Sequence, residues 1–289
     1  MTSRPLPLPQ TDAPYWQHPV WFAVGDHAVM LDFTGFSPLK KTSSKQQLPR
    51  SQDSRFTSDD IRTLADHIRS ASLSGITEIV PSLTRLLIAF DPLITSSDSI
   101  KTQILPYLSQ PTSLSPNQTA LSPAGMSQNK PASRHWHLPI CYDDEMGPDI
   151  DDLAATLSLP RDEVISRHLN SQLHVAVMGF LPGLGYMTGL DDALNLPRRA
   201  NPRAHVPANA VSIAIGQCVI YPLASPGGWH LIGQVPFPMF DVHRADPILL
   251  SPGDKVSFAR IDRATFDQHK TAYETGDLTA QDLINGRVS

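Results

Sequence analysis

The 289-residue chain has only two cysteines, Cys141 and Cys218. That is too few for a disulfide framework, so reduced thiols in a cytosol are the plainer expectation. Cations are in deficit, with 23 Lys and Arg against 28 Asp and Glu and a net charge of −5. A generic nucleic-acid binder, which presents a basic face, is thereby excluded. No run reaches the ~18 consecutive apolar residues of a transmembrane helix. The opening "MTSRPLPLPQTDAPYW" lacks the apolar core of a signal peptide and reads as a proline-rich, disordered tail over residues 1–18. The expectation is a cytoplasmic protein without nucleic-acid or membrane partners.

The chemical motifs that would name a reaction are also missing. There is no G-x-x-x-x-G-K-[ST] phosphate loop, no H-E-x-x-H, no C-x-x-C and no G-x-S-x-G elbow. Gly183, Gly185 and Gly189 in "GFLPGLGYMTGL" form G-x-G-x-x-x-G, one residue longer than the dinucleotide fingerprint. A strand, "LHVAVM", precedes them, but Pro197 and Pro202 follow and forbid the long helix whose N-terminus would hold a pyrophosphate. His135 and His137 share one face of a strand, yet no third ligand stands at a recognised spacing, so no metal is expected.

What the chain does have is proline, 27 in all, and hydrophobic residues at 40%, enough for real cores. Its length favours two domains. In residues 19–108, "VWFAV" and "HAVMLDF" flank the turn dipeptide Gly25-Asp26, and Val29, Leu31 and Phe33 share a face. A helix follows from Ser58, with Ile61, Leu64, Ala65 and Ile68 at helical spacing and Gly75 as its stop. Strands "ITEIVP" and "TRLLIAF" come next. A helix from about Ser97 to Leu108 then puts Ile100, Ile104, Leu105 and Leu108 on one face, weakened by Pro106. The order β-β-α-β-β-α predicts a small α/β sandwich.

Residues 109–134 are nearly all Ser, Pro, Gln, Asn, Thr and Ala, too poor in large apolar groups to offset ordering entropy, and are expected to be a linker. Residues 135–265 open with "HWHLPI" and two short helices near Pro148 and Pro160. The short runs "LHVAVM", "VSIAI", "CVIYP", "WHLIG" and "KVSF" then predict a barrel or sandwich. Residues 266–289 read as a C-terminal tail. Two loops could line a pocket. "PRRANPRAHVP" holds Arg198, Arg199 and Arg203 between stiffening prolines, a cluster able to chelate a carboxylate or phosphate. "SPGGWHLIG" lets a backbone approach closely at Gly227 and Gly228 beside the Trp229 surface, while Ser225 reads equally well as a turn residue.

Taken as a set, "GFLPGLGYMTGLD", "PRRANPRAHVPANAVSIAIGQCVIYPLASPGGWHLIG" and "FDVHRADPILLSPGDKVSF" resemble the family of the 5-oxoprolinase B-type subunit, also called allophanate hydrolase subunit 1 or the Kip-type sensor-kinase inhibitors. "GDHAVMLDF", "VPSLTRLLIAFDP" and "LPICYDDEMGPDIDDLA" extend the resemblance from about Trp21 to Ile261. Departures include Asn209 for a usual glycine, Gln234 for a common arginine and Cys218-Val219 for Thr-Gly. The resemblance implies an α+β chain, with a small ferredoxin-like N-terminal domain and a cyclophilin-like C-terminal barrel. It implies a subunit of an ATP-dependent 5-oxoprolinase, with ATP used by the complex. The implied partners are a second barrel subunit of C type (allophanate hydrolase subunit 2) and a subunit of A type. A sensor histidine kinase inhibitor and a carboxyltransferase component of a urea-processing enzyme are the alternatives. The motif residues Phe180, Pro182, Gly183, Tyr186, Gln217 and Tyr221 join Arg198, Arg199, Arg203, Ser225, Gly227, Gly228 and Trp229 as ligand-binding candidates. His168, at a position the family often fills with histidine, and Asp191 are the candidate acid–base groups.

Overall fold

Hydrophobic alternation and helical spacing place most elements where the sequence predicts them. The computed structural model describes residues 19–34, 58–108 and 133–284. The expected N-terminal tail and nearly all of the expected linker lie outside these residues. The chain divides into two compact units, 1–130 and 131–289.

In the first unit the elements run β1 (Val20–Ala23), β2 (Ala28–Asp32), α1 (Ser58–Ser70), β3 (Ile76–Pro81), β4 (Arg85–Phe90) and α2 (Ser97–Leu108). The sheet is antiparallel throughout, in the order β1-β2-β4-β3. β4 thus sits between β2 and β3, which α1 connects, a split β-α-β arrangement. The order is that of a ferredoxin-like sheet with its last strand moved to the front. Ile61, Leu64, Ala65 and Ile68 of α1 and Ile100, Ile104 and Leu108 of α2 share one core with Leu31, Leu86 and Ile88. Two helix readings need correction. Leu105 is 50% exposed, because it lies about 100° around the helix from Ile104. And α1 ends at Ser70, five residues before Gly75, with Ser72 at φ 48° in the connecting turn.

The second unit starts with β5 (His135–Cys141), α3 (Ile150–Leu157), α4 (Arg161–Asn170), β6 (Leu173–Met178) and β7 (Gly185–Thr188), followed by a 3-10 turn (Asp192–Leu194). It continues with β8 (Arg203–Val206), β9 (Ala210–Ala214), β10 (Gln217–Ile220), β11 (Ser225–Gly227), β12 (His230–Gln234) and β13 (Lys255–Ile261). It closes with α5 (Arg263–Thr275) and α6 (Ala280–Ile284). Seven strands form a closed barrel in the order β10-β7-β6-β13-β5-β12-β9, parallel only between β5 and β13. β8 and β11 make a separate two-stranded ribbon.

β9 is buried on both faces. Its Val211 and Ile213 join Trp136, Leu138, Met187, Cys218, Ile232 and Phe258 in the main core. Its Ala210 and Ala214 face a second cluster with Leu184, Val206, Val219, Tyr221, Trp229 and Leu231. The β9–β10 turn places Ile215 at φ 49° and Gly216 at φ 72°, the paired positive angles of a type I′ hairpin. Three strands escape the sequence reading. β7 lies inside the glycine-rich motif, and β8 and β11 are too short and too rich in Pro, Gly and Arg to signal. The tail expected over 266–289 is also corrected. Gly276 terminates α5 at φ 83°, and Leu283 of α6, 0% exposed, joins the main core.

Candidate functional site

The arginine loop and the β8–β11 ribbon are tied together by a residue that sequence reasoning did not single out. Asp149, just ahead of α3, is 1% exposed. Its Oδ1 accepts from Arg199 Nη1 at 2.8 Å and Arg203 Nη2 at 2.6 Å. Its Oδ2 accepts from Arg203 Nη1 at 2.8 Å and from the Leu231 N–H at 2.7 Å. All of the carboxylate's lone-pair sites are thus engaged, with Arg203 gripping it as a fork. Burial would raise the pKa of Asp149, but the hydrogen bonds from Arg203 and Leu231 and the two guanidinium charges outweigh it and hold the carboxyl below its usual value. Asp149 in turn raises the pKa of Arg203. An acidic residue before an apolar helix reads locally as a cap. Here its side chain caps nothing and reaches partners more than 50 residues away, which no local pattern announces.

Arg203 spends both terminal nitrogens on this internal carboxylate, whereas Arg199 gives it Nη1 and keeps a buried Nε with no hydrogen-bond partner among the described residues. Arg198 is exposed, makes no ion pair among the described residues and lies over the Trp229 ring with its guanidinium carbon 5.8 Å from the centroid. Trp229 is 5% exposed and 6.0 Å from the Tyr186 ring. Both belong with Tyr221 to the cluster beneath the ribbon. Gly227 is required there, since a Cβ would run into the Tyr221 hydroxyl. Burial and the nearby Tyr186 raise the Tyr221 pKa while the Arg198 charge opposes them. Gly228 accepts from the Arg199 backbone N–H at 2.8 Å, and Ser225 pairs with Val206 in the ribbon.

Other candidates are not brought to this point. Gln217 starts β10 at the opposite end from Tyr221. Phe180, 66% exposed at φ 69°, and the exposed Pro182 lie on the β6–β7 loop. Gly183 holds that loop against Met239 and Phe240 at φ 84°, where a Cβ would meet the Phe240 Cβ at 3.0 Å. Asp191 caps the 3-10 turn by accepting from Ala193 N at 2.8 Å and pairs with Arg167 at 3.3 Å.

His168 is closed off inside the barrel at 1% exposure. Its Nδ1 lies 2.7 Å from the Tyr142 hydroxyl and its Nε2 3.5 Å from Cys218 Sγ. Burial drives its pKa down to about 3 and the Cys218 thiol upward, so both are neutral at physiological pH. His168 is thus held within the core between Tyr142 and Cys218, away from the ribbon. His135 and His137 stack with centroids 4.1 Å apart, and both meet Ser257 Oγ, at 3.1 and 2.9 Å. Among the described residues no group of three or more His, Cys, Asp or Glu is placed to hold a metal ion.

A cleft of about 610 Å³ opens elsewhere in this unit, lined by Arg134, Trp136, Asp241, Arg244, Tyr273 and Ile284. Its cations are spent internally, Arg134 on Asp254 and Arg244 on the carbonyls of Pro238, Met239 and Pro247. The ribbon patch, where Arg198 lies near the Tyr186 and Tyr221 hydroxyls, which make no hydrogen bond among the described residues, carries the stronger chemical case.

Residues 24–250 match the family model described as carboxyltransferase domain, subdomain C and D. The chain belongs to this family. Among its relatives, the 5-oxoprolinase B subunit of Bacillus subtilis (strain 168) is 30% identical over 211 residues, covering 73% of this chain and 86% of that protein. The protein of the same name from Escherichia coli O157:H7 is 43% identical over 129 residues, 45% of this chain and 59% of that one. Among solved structures, TTHA0988 aligns with a TM-score of 0.57 at 28% identity over 81% of this chain, which spans 40% of that protein. The Kluyveromyces lactis urea carboxylase aligns with a TM-score of 0.65 over 96% of this chain and 24% of its own length. At 17% identity that match shows the carboxyltransferase-type fold alone.

Proposed function

We propose that this chain is the B-type subunit of an ATP-dependent 5-oxoprolinase. The complex hydrolyses the lactam of 5-oxo-L-proline to L-glutamate together with a second barrel subunit of C type and a subunit of A type. The observation that carries the reading is the 30% identity to a 5-oxoprolinase B subunit across 86% of that protein. In the reaction, water adds its oxygen to the lactam carbonyl carbon, the C–N bond breaks, and the ring nitrogen leaves as the amine of glutamate. A five-membered lactam is stable, and coupling to ATP hydrolysis supplies the driving force.

The subunit acts only within its complex. Of the two acid–base candidates, His168 is enclosed and Asp191 is engaged by Arg167 and Ala193. The sequence also carries no phosphate loop of its own. The complex belongs in the cytoplasm, where Cys141 and Cys218, both free and buried, stay reduced. No helix among the described residues is long and apolar enough to cross a membrane.

The test is purification of the chain alone and with its C-type and A-type candidates, followed by 5-oxoproline-dependent ATP hydrolysis and glutamate release. We expect turnover from the full assembly and none from the isolated chain. An inactive full assembly would overturn the reading. The urea-processing alternative draws on the family model and on a fold match, and turnover of urea with a biotin carboxylase partner in the same assay would favour it.

A further inference from the structure

Of the three arginines in the proline-stiffened loop, two are paired with Asp149. The third is set apart by geometry. Arg198 is exposed, and its guanidinium carbon lies 5.8 Å from the centroid of the Trp229 ring. The Trp229 ring is itself immobilised, buried beneath the ribbon with Tyr186 and Tyr221. The hydroxyls of Tyr186 and Tyr221 make no hydrogen bond among the described residues. An exposed cation, the half-buried Tyr186 and the buried Tyr221 therefore gather around one aromatic ring, close enough for Tyr186 and the Arg198 charge both to act on the Tyr221 hydroxyl. That is the donor set for a small ligand with a carboxylate at one end and a carbonyl at the other.

We propose that Arg198 binds the substrate carboxylate, with the Tyr186 and Tyr221 hydroxyls donating to the lactam carbonyl over the Trp229 floor. The proposal rests on the 5-oxoprolinase reading and adds to it the place where this subunit meets its substrate. Arg198 is a binding residue in this scheme. Asp149, through Arg199 and the Arg199 N–H bond to Gly228, positions the loop that carries it.

The experiment uses the full assembly with wild-type, Arg198→Met, Arg198→Lys and Tyr221→Phe chains, reading KM and kcat for 5-oxo-L-proline. A hydrogen bond to a charged group is worth enough that Arg198→Met raises KM by at least about tenfold. We expect kcat to stay within about threefold and Arg198→Lys to recover part of the affinity, because charge survives while the fork is lost. Tyr221→Phe gives a smaller rise of about threefold to tenfold. In wild type, 2-pyrrolidinone, which lacks the carboxylate, competes at least about tenfold more weakly than 5-oxo-L-proline, and Arg198→Met abolishes that preference. An active assembly whose KM is unchanged by Arg198→Met overturns the proposal and leaves the 5-oxoprolinase reading standing. So does a loss confined to thermal stability, which would reduce Arg198 to a cover for Trp229. An inactive wild-type assembly overturns both.

Discussion

The barrel unit buries two titratable side chains to the same 1% exposure and treats them in opposite ways. Asp149 stays ionised because two guanidinium groups and a backbone N–H surround it. His168 gives up its charge and bonds as a neutral ring between a phenol and a thiol. The difference follows from what each can recruit. A carboxylate can be matched by arginines that keep their stems at the surface, and Arg199 and Arg203 remain 28% and 26% exposed. An imidazole in the middle of the barrel has only Phe258 and other apolar neighbours besides its two partners, so losing the proton is the lower-energy solution. The first device ties loops together near the surface, and the second lets a polar ring fill an interior.

The contrast breaks most visibly at Asp149. Removing one member of a buried ion pair leaves uncompensated charge, so Asp149→Ala should cost about 3–5 kcal/mol in denaturant unfolding. A loss below about 1 kcal/mol would mean the cluster is solvated and the contrast false. Next is pH. The folded pKa of His168, about 3, lies below the ~6.5 of an unfolded histidine, so the unfolded chain binds the extra proton between those values. Its contribution is complete above pH ~6.5 and falls by up to about 1.4 kcal/mol per pH unit as pH drops toward 3. Asp149 is lowered from its unfolded value, so its contribution is complete above pH ~3.9 and lost as pH falls through the folded pKa. Unfolding curves of His168→Leu against wild type should therefore differ in slope between pH 6.5 and 4, and parallel curves would contradict a neutral buried ring. Tyr142→Phe removes one partner of that ring and should cost about 1–2 kcal/mol by thermal unfolding. The smallest expected effect is a gain. Ile215→Asn, in the left-handed turn position where a β-branched residue is strained, should add about 1 kcal/mol in the same assay.

Periodicity carries far in this chain. The i, i+3, i+4 spacing of Ile61, Leu64, Ala65 and Ile68 and the apolar runs of β6, β9 and β12 place the helices and most barrel strands. The ribbon strands are invisible because a three-residue Ser-Pro-Gly segment looks like a turn, and only its pairing with β8 makes it a strand. The arginine cluster is legible as a cluster, but its division is not. Whether a guanidinium serves a ligand or an internal carboxylate depends on Asp149, which reaches it through folding alone. Asn209 shows the reverse case. It stands where the resembling family usually has glycine, and its φ of 65° explains why asparagine is an acceptable substitute.

The barrel closes with a parallel pairing of its first strand, β5, to its last, β13, and Leu283 of α6 then enters the same core as Trp136. For a chain emerging from the ribosome, that wiring imposes a schedule. β5 is made early and waits with an unpaired edge while more than a hundred residues follow. The interior stays open until residues near 283 have appeared. Loops such as the one carrying Arg198 are therefore built onto a frame that locks only after they have been synthesised.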